Sequence, residues 1–136
     1  MITANTKPVV MAVDDSPSIL QVVSAVLSDE YKVITLVKPL TMKSILQKVK
    51  PDLFLLDFRM PEISGIDLLH VIRGFEEHKD TPIIFLTSAG TIDNVTASIA
   101  LGVRDFVVKP FDPDVLRAKI RKQILCKKDG MQAACF

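Results

Sequence analysis

The sequence has little cysteine, no long apolar run and no large excess of either charge. Its two cysteines among 136 residues, Cys126 and Cys135, lie near the C-terminus, which excludes a disulfide-rich secreted fold and predicts free thiols. No apolar run approaches the roughly 20 residues of a membrane span, and the N-terminus lacks a signal-peptide pattern. A formal net charge of +1 argues against a dedicated nucleic-acid binder. We therefore expect one soluble, cytoplasmic domain.

Five short apolar runs alternate with segments of helical periodicity. The apolar runs are residues 9–13, 33–37, 53–56, 83–86 and 106–108. The helical segments begin near Pro17, Thr41, Gly65, Thr91 and Asp112. Most of the apolar runs are continuous, which is typical of strands buried on both faces of a parallel sheet. The alternation predicts a doubly wound α/β domain over residues 1–125, followed by a short tail over residues 126–136.

Polar side chains follow four of these apolar runs. Asp14 and Asp15 follow the first run, Asp57 the third, Thr87 the fourth and Lys109 the fifth. Since the carboxyl ends of parallel strands meet at one edge of a sheet, we expect these groups to share a cleft. Three clustered carboxylates repel one another, and Mg²⁺ would relieve that repulsion while leaving room for phosphate oxygens. An aspartate beside Mg²⁺ and a lysine can attack a phosphoryl group to give an aspartyl-phosphate.

The order and spacing of these residues resemble the receiver domain of two-component response regulators. The matching motifs are Val13-Asp14-Asp15-Ser16, Leu56-Asp57-Phe58-Arg59-Met60-Pro61 with Gly65, Leu86-Thr87-Ser88-Ala89 and Gly102-Val103-Arg104-Asp105-Phe106-Val107-Val108-Lys109-Pro110-Phe111. The resemblance covers roughly residues 8–125 and is of the single-domain, chemotaxis type. It implies a flavodoxin-like (βα)5 fold whose five parallel strands have the order 2-1-3-4-5.

The resemblance implies a role for each acidic residue. Asp57 would be the phosphoacceptor, charged by a sensor histidine kinase or a phosphotransfer protein. Asp14 and Asp15 would hold Mg²⁺ together with Asp57 and the backbone carbonyl of Arg59, with Mn²⁺ as the expected substitute. The Arg59 guanidinium either pairs with a cleft carboxylate or is solvated, and the sequence alone does not decide between the two.

The resemblance also implies a switch. Thr87 and Lys109 would contact the phosphoryl group, and the Phe106 ring would follow Thr87 inward. From the sequence alone, Phe106 is equally a core residue of a strand. The Lys109–Pro110 bond is expected to be cis. The signal would reach a downstream protein target through the face formed by the fourth helix, the fifth strand and the fifth helix.

The last two predicted helices differ in charge. The fourth has no charged residue between Asp93 and Arg104, so we expect either a weakly stable signalling element or an ordinary polar helix surface. The fifth is basic, since residues 112–136 carry a net charge of +3 and residues 1–111 a net charge of −2. These cations either complement the helix dipole or form a surface for an acidic partner.

Three hypotheses about function follow. The first is a non-enzymatic phosphoacceptor that acts by protein contact, as a monomer or weak dimer, without binding nucleic acid or membrane. The initiating Met1 and the short tail lead us to expect a complete small protein, in line with this first hypothesis. The second hypothesis is a receiver segment of a larger regulator or hybrid kinase. The third is an Asp-nucleophile phosphohydrolase. Such enzymes usually need a general acid two residues after the nucleophile, where this chain has Arg59, so turnover is not expected.

Overall fold

Strands and helices alternate through residues 7–88 and 102–129, which are the part of the chain that the computed structural model describes. The strands are β1 (Val9–Val13), β2 (Lys32–Leu36), β3 (Leu53–Asp57), β4 (Ile83–Ser88) and β5 (Val103–Lys109). The α-helices of the described residues are α1 (Pro17–Leu27), α2 (Met42–Leu46), α3 (Gly65–Arg73) and α4 (Pro113–Asp129). Short 3₁₀ turns cover Pro39–Thr41 and Glu76–His78. Within these ranges no helix has the length and apolar character needed to cross a membrane.

The five strands are parallel and form one sheet in the order β2-β1-β3-β4-β5. This confirms the predicted fold class and strand order. Because neighbouring residues of a strand point to opposite faces, each strand contributes to two cores. Met11 and Phe54 belong to the core covered by α2 and α3. Val10 and Leu55 belong to the core covered by α1 and α4. Both faces are therefore covered, which explains the continuous apolar runs.

The boundaries of the elements depart from the sequence prediction where long-range pairing decides them. β5 begins at Val103, three residues before the predicted run, because its first residues pair with β4 around a register shift at Ile83 and Ile84. Near the predicted helix start at Thr41, a 3₁₀ turn covers Pro39–Thr41 and helix α2 follows it. The predicted helix that begins near Thr91 lies outside the described residues, as does Ala89 of the Thr87 motif.

The starts of the helices follow local sequence signals. Pro17 occupies the first turn of α1, where its missing N–H costs nothing. The side chain of the N-cap residue Ser16 makes no capping hydrogen bond, and the Ser16 backbone N–H donates to Asp14 Oδ1 at 2.9 Å. The cap of α3 is Ser64, which the sequence analysis missed; its hydroxyl accepts from the Asp67 N–H at 3.1 Å.

The C-terminal helix α4 uses its cations within the chain. Arg121 forms an ion pair with Glu30 at 2.7 Å, and Arg117 Nε donates to the Val26 carbonyl at 3.3 Å, so both fasten α4 to α1 and the turn after it. Lys119 binds β5. Neither alternative from the sequence anticipated this internal pairing. The helix continues to Asp129, into the predicted tail; the division between domain and tail stays a prediction, and Cys135 lies outside the described residues.

Candidate functional site

The carboxyl ends of four strands bring the predicted polar residues to one edge of the sheet. Asp57 is the last residue of β3, and Asp14 directly follows β1, the strand beside it. Thr87 lies in β4 opposite Val108 of β5, one residue before Lys109. The parallel arrangement places all four strand ends on the same side, which is the physical reason that residues far apart in sequence meet here.

One ammonium group joins two carboxylates at the centre of the site. Lys109 Nζ lies 2.9 Å from Asp14 Oδ2 and 3.1 Å from Asp57 Oδ1. Asp14 is fully buried, Asp57 is 6% exposed, and the Lys109 side chain is 19% exposed. Burial strengthens both ion pairs because little water screens the charges. The lysine therefore lies where it can neutralise negative charge carried by Asp57.

Backbone donors orient the two buried carboxylates. Besides the contact of Asp14 with the Ser16 N–H, the Arg59 N–H donates to Asp57 Oδ1 at 3.4 Å. Both hydrogen bonds that described residues give to the Asp57 side chain go to Oδ1. Since Lys109 and Arg59 both bind that oxygen, Oδ2 is the carboxylate oxygen left available for chemistry within the described part of the chain.

The acidic residues form a donor set suited to a hard divalent cation. Asp14, Asp15 and Asp57 each offer a carboxylate oxygen, and these oxygens lie within 4.8 Å of one another. Asp15 is exposed, whereas the other two are buried, so the cluster opens to solvent on one side. Three carboxylates face one ammonium group and leave excess negative charge. Oxygen ligands, excess charge and an open side fit Mg²⁺ with part of its water shell retained.

The electrostatics of the cluster disfavour the charged form of Asp57. Burial, together with the neighbouring Asp14 carboxylate, raises the pKa of Asp57 from 3.8 to about 6, against the opposing effect of Lys109 and the Arg59 N–H. The pKa of Lys109 is raised in spite of its burial, because hydrogen bonds and charges of both Asp14 and Asp57 favour its ammonium form. Two carboxylates lie beside Lys109, and both favour its charged form. Asp57 lies beside one ammonium group and one carboxylate, whose effects oppose each other, so burial decides the direction of its pKa shift.

The remaining predicted site residues, Thr87 and Phe106, differ in burial. Thr87 is buried at 3% exposure. Phe106 is only partly buried, and its ring centroid lies 6.0 Å from that of Phe85. The peptide bond between Lys109 and Pro110 is cis, in agreement with the expectation.

The Arg59 side chain resolves one alternative that the sequence left open. It is exposed, and it makes no ion pair with any side chain in residues 7–88 and 102–129. In this structure the guanidinium is therefore solvated rather than paired with a cleft carboxylate. Its backbone N–H is the group that contacts Asp57.

A glycine beside the end of β3 allows close packing there. A Cβ at Gly65 would lie 3.0 Å from Phe58 Cα, 3.0 Å from Phe85 Cε1 and 3.1 Å from the Asp57 carbonyl oxygen. Two of these three atoms belong to backbone, so they cannot yield as a flexible side chain would. In the sequence Gly65 was part of a motif and the start of a predicted helix, and its contact with the end of β3 is visible only in three dimensions.

We expect Gly65→Ala to lower the free energy of unfolding by about 1–3 kcal/mol, because the added methyl group overpacks the end of β3. Gly74→Ala is the matched control, since its Cβ would lie 3.3 Å from its nearest neighbour, the Val71 carbonyl oxygen. Urea titration of both variants measures the difference. Equal stabilities of the two variants would contradict the close packing at Gly65.

Comparison with known proteins identifies the family. The family model of the response regulator receiver domain matches residues 10–121. The luminescence regulatory protein LuxO of Vibrio campbellii is 42% identical over 74 residues, which cover 54% of this chain and 16% of LuxO. The cyclic di-GMP phosphodiesterase response regulator RpfG of Xanthomonas campestris pv. campestris is 36% identical over 113 residues, 81% of this chain and 30% of RpfG. The chain thus spans less than a third of either curated relative.

Solved structures agree with this match. The chemotaxis response regulator CheY4 of Vibrio cholerae is 33% identical with a TM-score of 0.79, and the match covers 86% of this chain and 98% of CheY4. A response regulator receiver domain protein from Clostridium thermocellum is 27% identical with a TM-score of 0.79, over 89% of this chain and 97% of that one. The family match spans most of the chain, and the acidic residues lie together at the strand ends, so the chain belongs to the response regulator receiver domain family of two-component signalling.

Proposed function

We propose that this receiver domain accepts a phosphoryl group on Asp57 with the help of Mg²⁺ and then signals to a partner protein. The observation that supports the proposal best is the geometry of the Asp57 carboxylate. It lies buried at the end of β3, with Oδ1 bound by Lys109 and the Arg59 N–H, and with a second oxygen that no described residue occupies. A nucleophilic oxygen held beside a fixed cation is what phosphoryl transfer requires.

In the proposed transfer step, Asp57 is the nucleophile. Oδ2 attacks phosphorus, a new P–O bond forms, and the bond to the donor breaks with its electron pair leaving on the donor, the imidazole of a phosphohistidine or a small carboxylate. Lys109 remains within reach to offset charge on the transferred group. Mg²⁺ held by Asp14, Asp15, Asp57 and the Arg59 carbonyl would neutralise phosphoryl oxygens, and Mn²⁺ would substitute.

The raised pKa of Asp57 suits this role. At pH 7 a group with a pKa of about 6 is ionised in roughly nine of ten molecules, so the nucleophilic form dominates. Burial and the Asp14 charge destabilise the ionised Asp57 carboxylate, and a bound cation would offset that destabilisation. The site is therefore poised to bind a divalent cation before it reacts.

The proposed output is a change at the surface near β5. Phosphoryl oxygens on Asp57 would attract the Thr87 hydroxyl and Lys109, and movement of Thr87 would leave space that the partly buried Phe106 ring can enter. The donor is a sensor histidine kinase or phosphotransfer protein in the cytoplasm, and the target is a protein rather than nucleic acid or membrane. The chain would act as a monomer or a weak dimer.

We propose that the domain is not itself an enzyme that turns over substrates. A phosphohydrolase using Asp57 would need a proton donor beside it, and the residue two positions later is Arg59, a solvated cation. Multiple turnovers on an aryl phosphate would overturn this part of the proposal. Single phosphorylation with slow release of phosphate would support it.

Incubation with a small acyl phosphate tests the proposed function directly. In the presence of Mg²⁺ we expect one phosphoryl group per chain, measured by intact mass, and we expect its release in base because acyl phosphates hydrolyse there. A chelator should prevent the incorporation, and added Mg²⁺ or Mn²⁺ should restore it. Incorporation that ignores the chelator, or a phosphoryl group stable in base, would contradict the proposal.

A further inference from the structure

A second charged contact lies on the open edge of the sheet, apart from the carboxylate cluster. β5 is the last strand in the sheet order, so within residues 7–88 and 102–129 no strand lies on the side facing away from β4. Lys119 of α4 reaches this edge. Its Nζ donates to Asp105 Oδ1 at 2.9 Å and to the Phe106 carbonyl oxygen at 2.8 Å. The same Asp105 oxygen accepts from the Phe106 N–H at 2.8 Å.

This arrangement satisfies both backbone polar groups of Phe106 without a further strand. The N–H is bound by the carboxylate of Asp105, the carbonyl by the ammonium of Lys119, and the two charged groups bind each other. We define Asp105, Phe106 and Lys119 as the edge clamp. Side chains of Asp105 and Lys119 are each about one-third exposed, so the ion pair alone would hold little. The shared backbone contacts give it a fixed geometry.

The edge clamp connects two elements that otherwise meet through apolar side chains. Leu116 and Ile120 of α4 are fully buried in the core that includes Val107 of β5. Lys119 lies beside them on the helix and carries the polar contact to the adjacent residue of the strand. Helix α4 is therefore attached to β5 both at the core and at the backbone of Phe106.

We propose that Lys119 is a positioning residue that couples the Phe106 backbone to α4, so that rearrangement of Phe106 is transmitted to the C-terminal helix. The inference rests on the proposed function, in which the Phe106 ring moves after phosphorylation of Asp57, and it adds that the Phe106 backbone moves with the ring. A displacement of the Phe106 backbone changes the position of both clamp acceptors. Because one ammonium binds both acceptors, their movement shifts or breaks its contacts, and either change alters how Lys119 holds α4 against β5.

The experiment compares Lys119→Met with Lys122→Met. Methionine keeps most of the side-chain length and removes the ammonium group. Lys122 lies on the same helix, is exposed and makes no ion pair with any described residue, so its substitution changes charge equally without touching the clamp. Amide chemical shifts of the labelled full chain are recorded before and after phosphorylation with an acyl phosphate and Mg²⁺.

We expect Lys119→Met to incorporate phosphate within about twofold of the unmodified rate, since the residue does not touch Asp57. The phosphorylation-induced shift changes at the Leu116 and Ile120 amides should fall about threefold, while those at Phe58 and Arg59 persist. Lys119→Arg, which keeps a charged donor, should restore most of the response. Lys122→Met should behave as the unmodified chain. If Lys119 had only a structural role, Lys119→Met would lower stability, but the shift changes in α4 and those near Asp57 would be affected alike.

Two further measurements keep the inference distinct from the proposed function. In the unphosphorylated state, Lys119→Met should speed hydrogen exchange of the Phe106 amide by roughly tenfold relative to Lys122→Met. The exchange rate of the Phe106 amide does not depend on phosphorylation. Absence of phosphoryl transfer would therefore refute the proposed function without contradicting the edge clamp. Asp105→Asn, which retains an oxygen for the Phe106 N–H, gives a milder loss and replaces Lys119→Met if that variant does not fold. Undiminished shift changes in α4 of both variants would overturn the coupling.

Discussion

Replacing Asp57 with asparagine is expected to abolish phosphoryl incorporation, with the rate falling by about a hundredfold or more. The amide has nearly the shape of the carboxylate, and its oxygen can still accept from Lys109 and the Arg59 N–H, so the site keeps its form. What is lost is the anionic nucleophile. Intact mass after incubation with an acyl phosphate and Mg²⁺ measures the effect.

Neighbouring carboxylates are poor replacements for Asp57. Asp14 is fully buried, and its two oxygens are bound by the Ser16 N–H and by Lys109. Asp15 is exposed and solvated. Asp29→Asn is the matched control, because Asp29 is exposed and distant from the strand ends in sequence. Incorporation by Asp57→Asn at the rate of Asp29→Asn would place the acceptor elsewhere.

The same Asp57→Asn substitution is expected to raise the free energy of unfolding by about 3 kcal/mol at pH 7.5 without divalent cation. The pKa of Asp57 is about 6 in the folded chain, against 3.8 for an unperturbed aspartate. Burial and the Asp14 carboxylate penalise its charged form, and asparagine removes that charge. The asparagine variant should therefore be the more stable protein although it is inactive.

The stability difference should depend on pH in a defined direction. Between about pH 4 and pH 6 the unfolded chain releases the Asp57 proton while the folded chain retains it, so the wild-type chain loses stability as the pH rises through this range. Lowering the pH from 7.5 to 4.5 should reduce the advantage of Asp57→Asn by about 2 kcal/mol. Urea titrations of both proteins at the two pH values measure this change. An advantage that is equal at both values would show that the carboxylate is not destabilised by its surroundings.

Divalent cation provides an independent check on the same electrostatic argument. A cation that binds the folded cluster stabilises the wild-type chain by mass action, and more so than Asp57→Asn, which supplies one carboxylate fewer. Saturating Mg²⁺ should thus narrow the stability difference at pH 7.5. A chelator should restore it.

The sequence by itself determined the fold class and the residues that gather at the strand ends. Continuous apolar runs are typical of parallel strands covered on both faces, and the parallel order puts Asp14, Asp57 and Lys109 on one edge. Local signals such as Pro17 at the start of α1 also acted as predicted. These features depend on the spacing of apolar residues along the chain and on short-range sterics. Residues that are close together in the sequence specify both.

Only the tertiary structure decided which of these groups contact one another. The bridging of two carboxylates by Lys109 joins residues separated by 95 and 52 positions, and the pKa of Asp57 follows from the burial that this packing creates. From the sequence, the cations of α4 were expected either to complement the helix dipole or to form a surface for an acidic partner, yet Lys119 binds the edge of β5 and Arg121 binds Glu30. Distances between remote residues set electrostatic energies and hydrogen bonds, and no local pattern in the sequence encodes those distances.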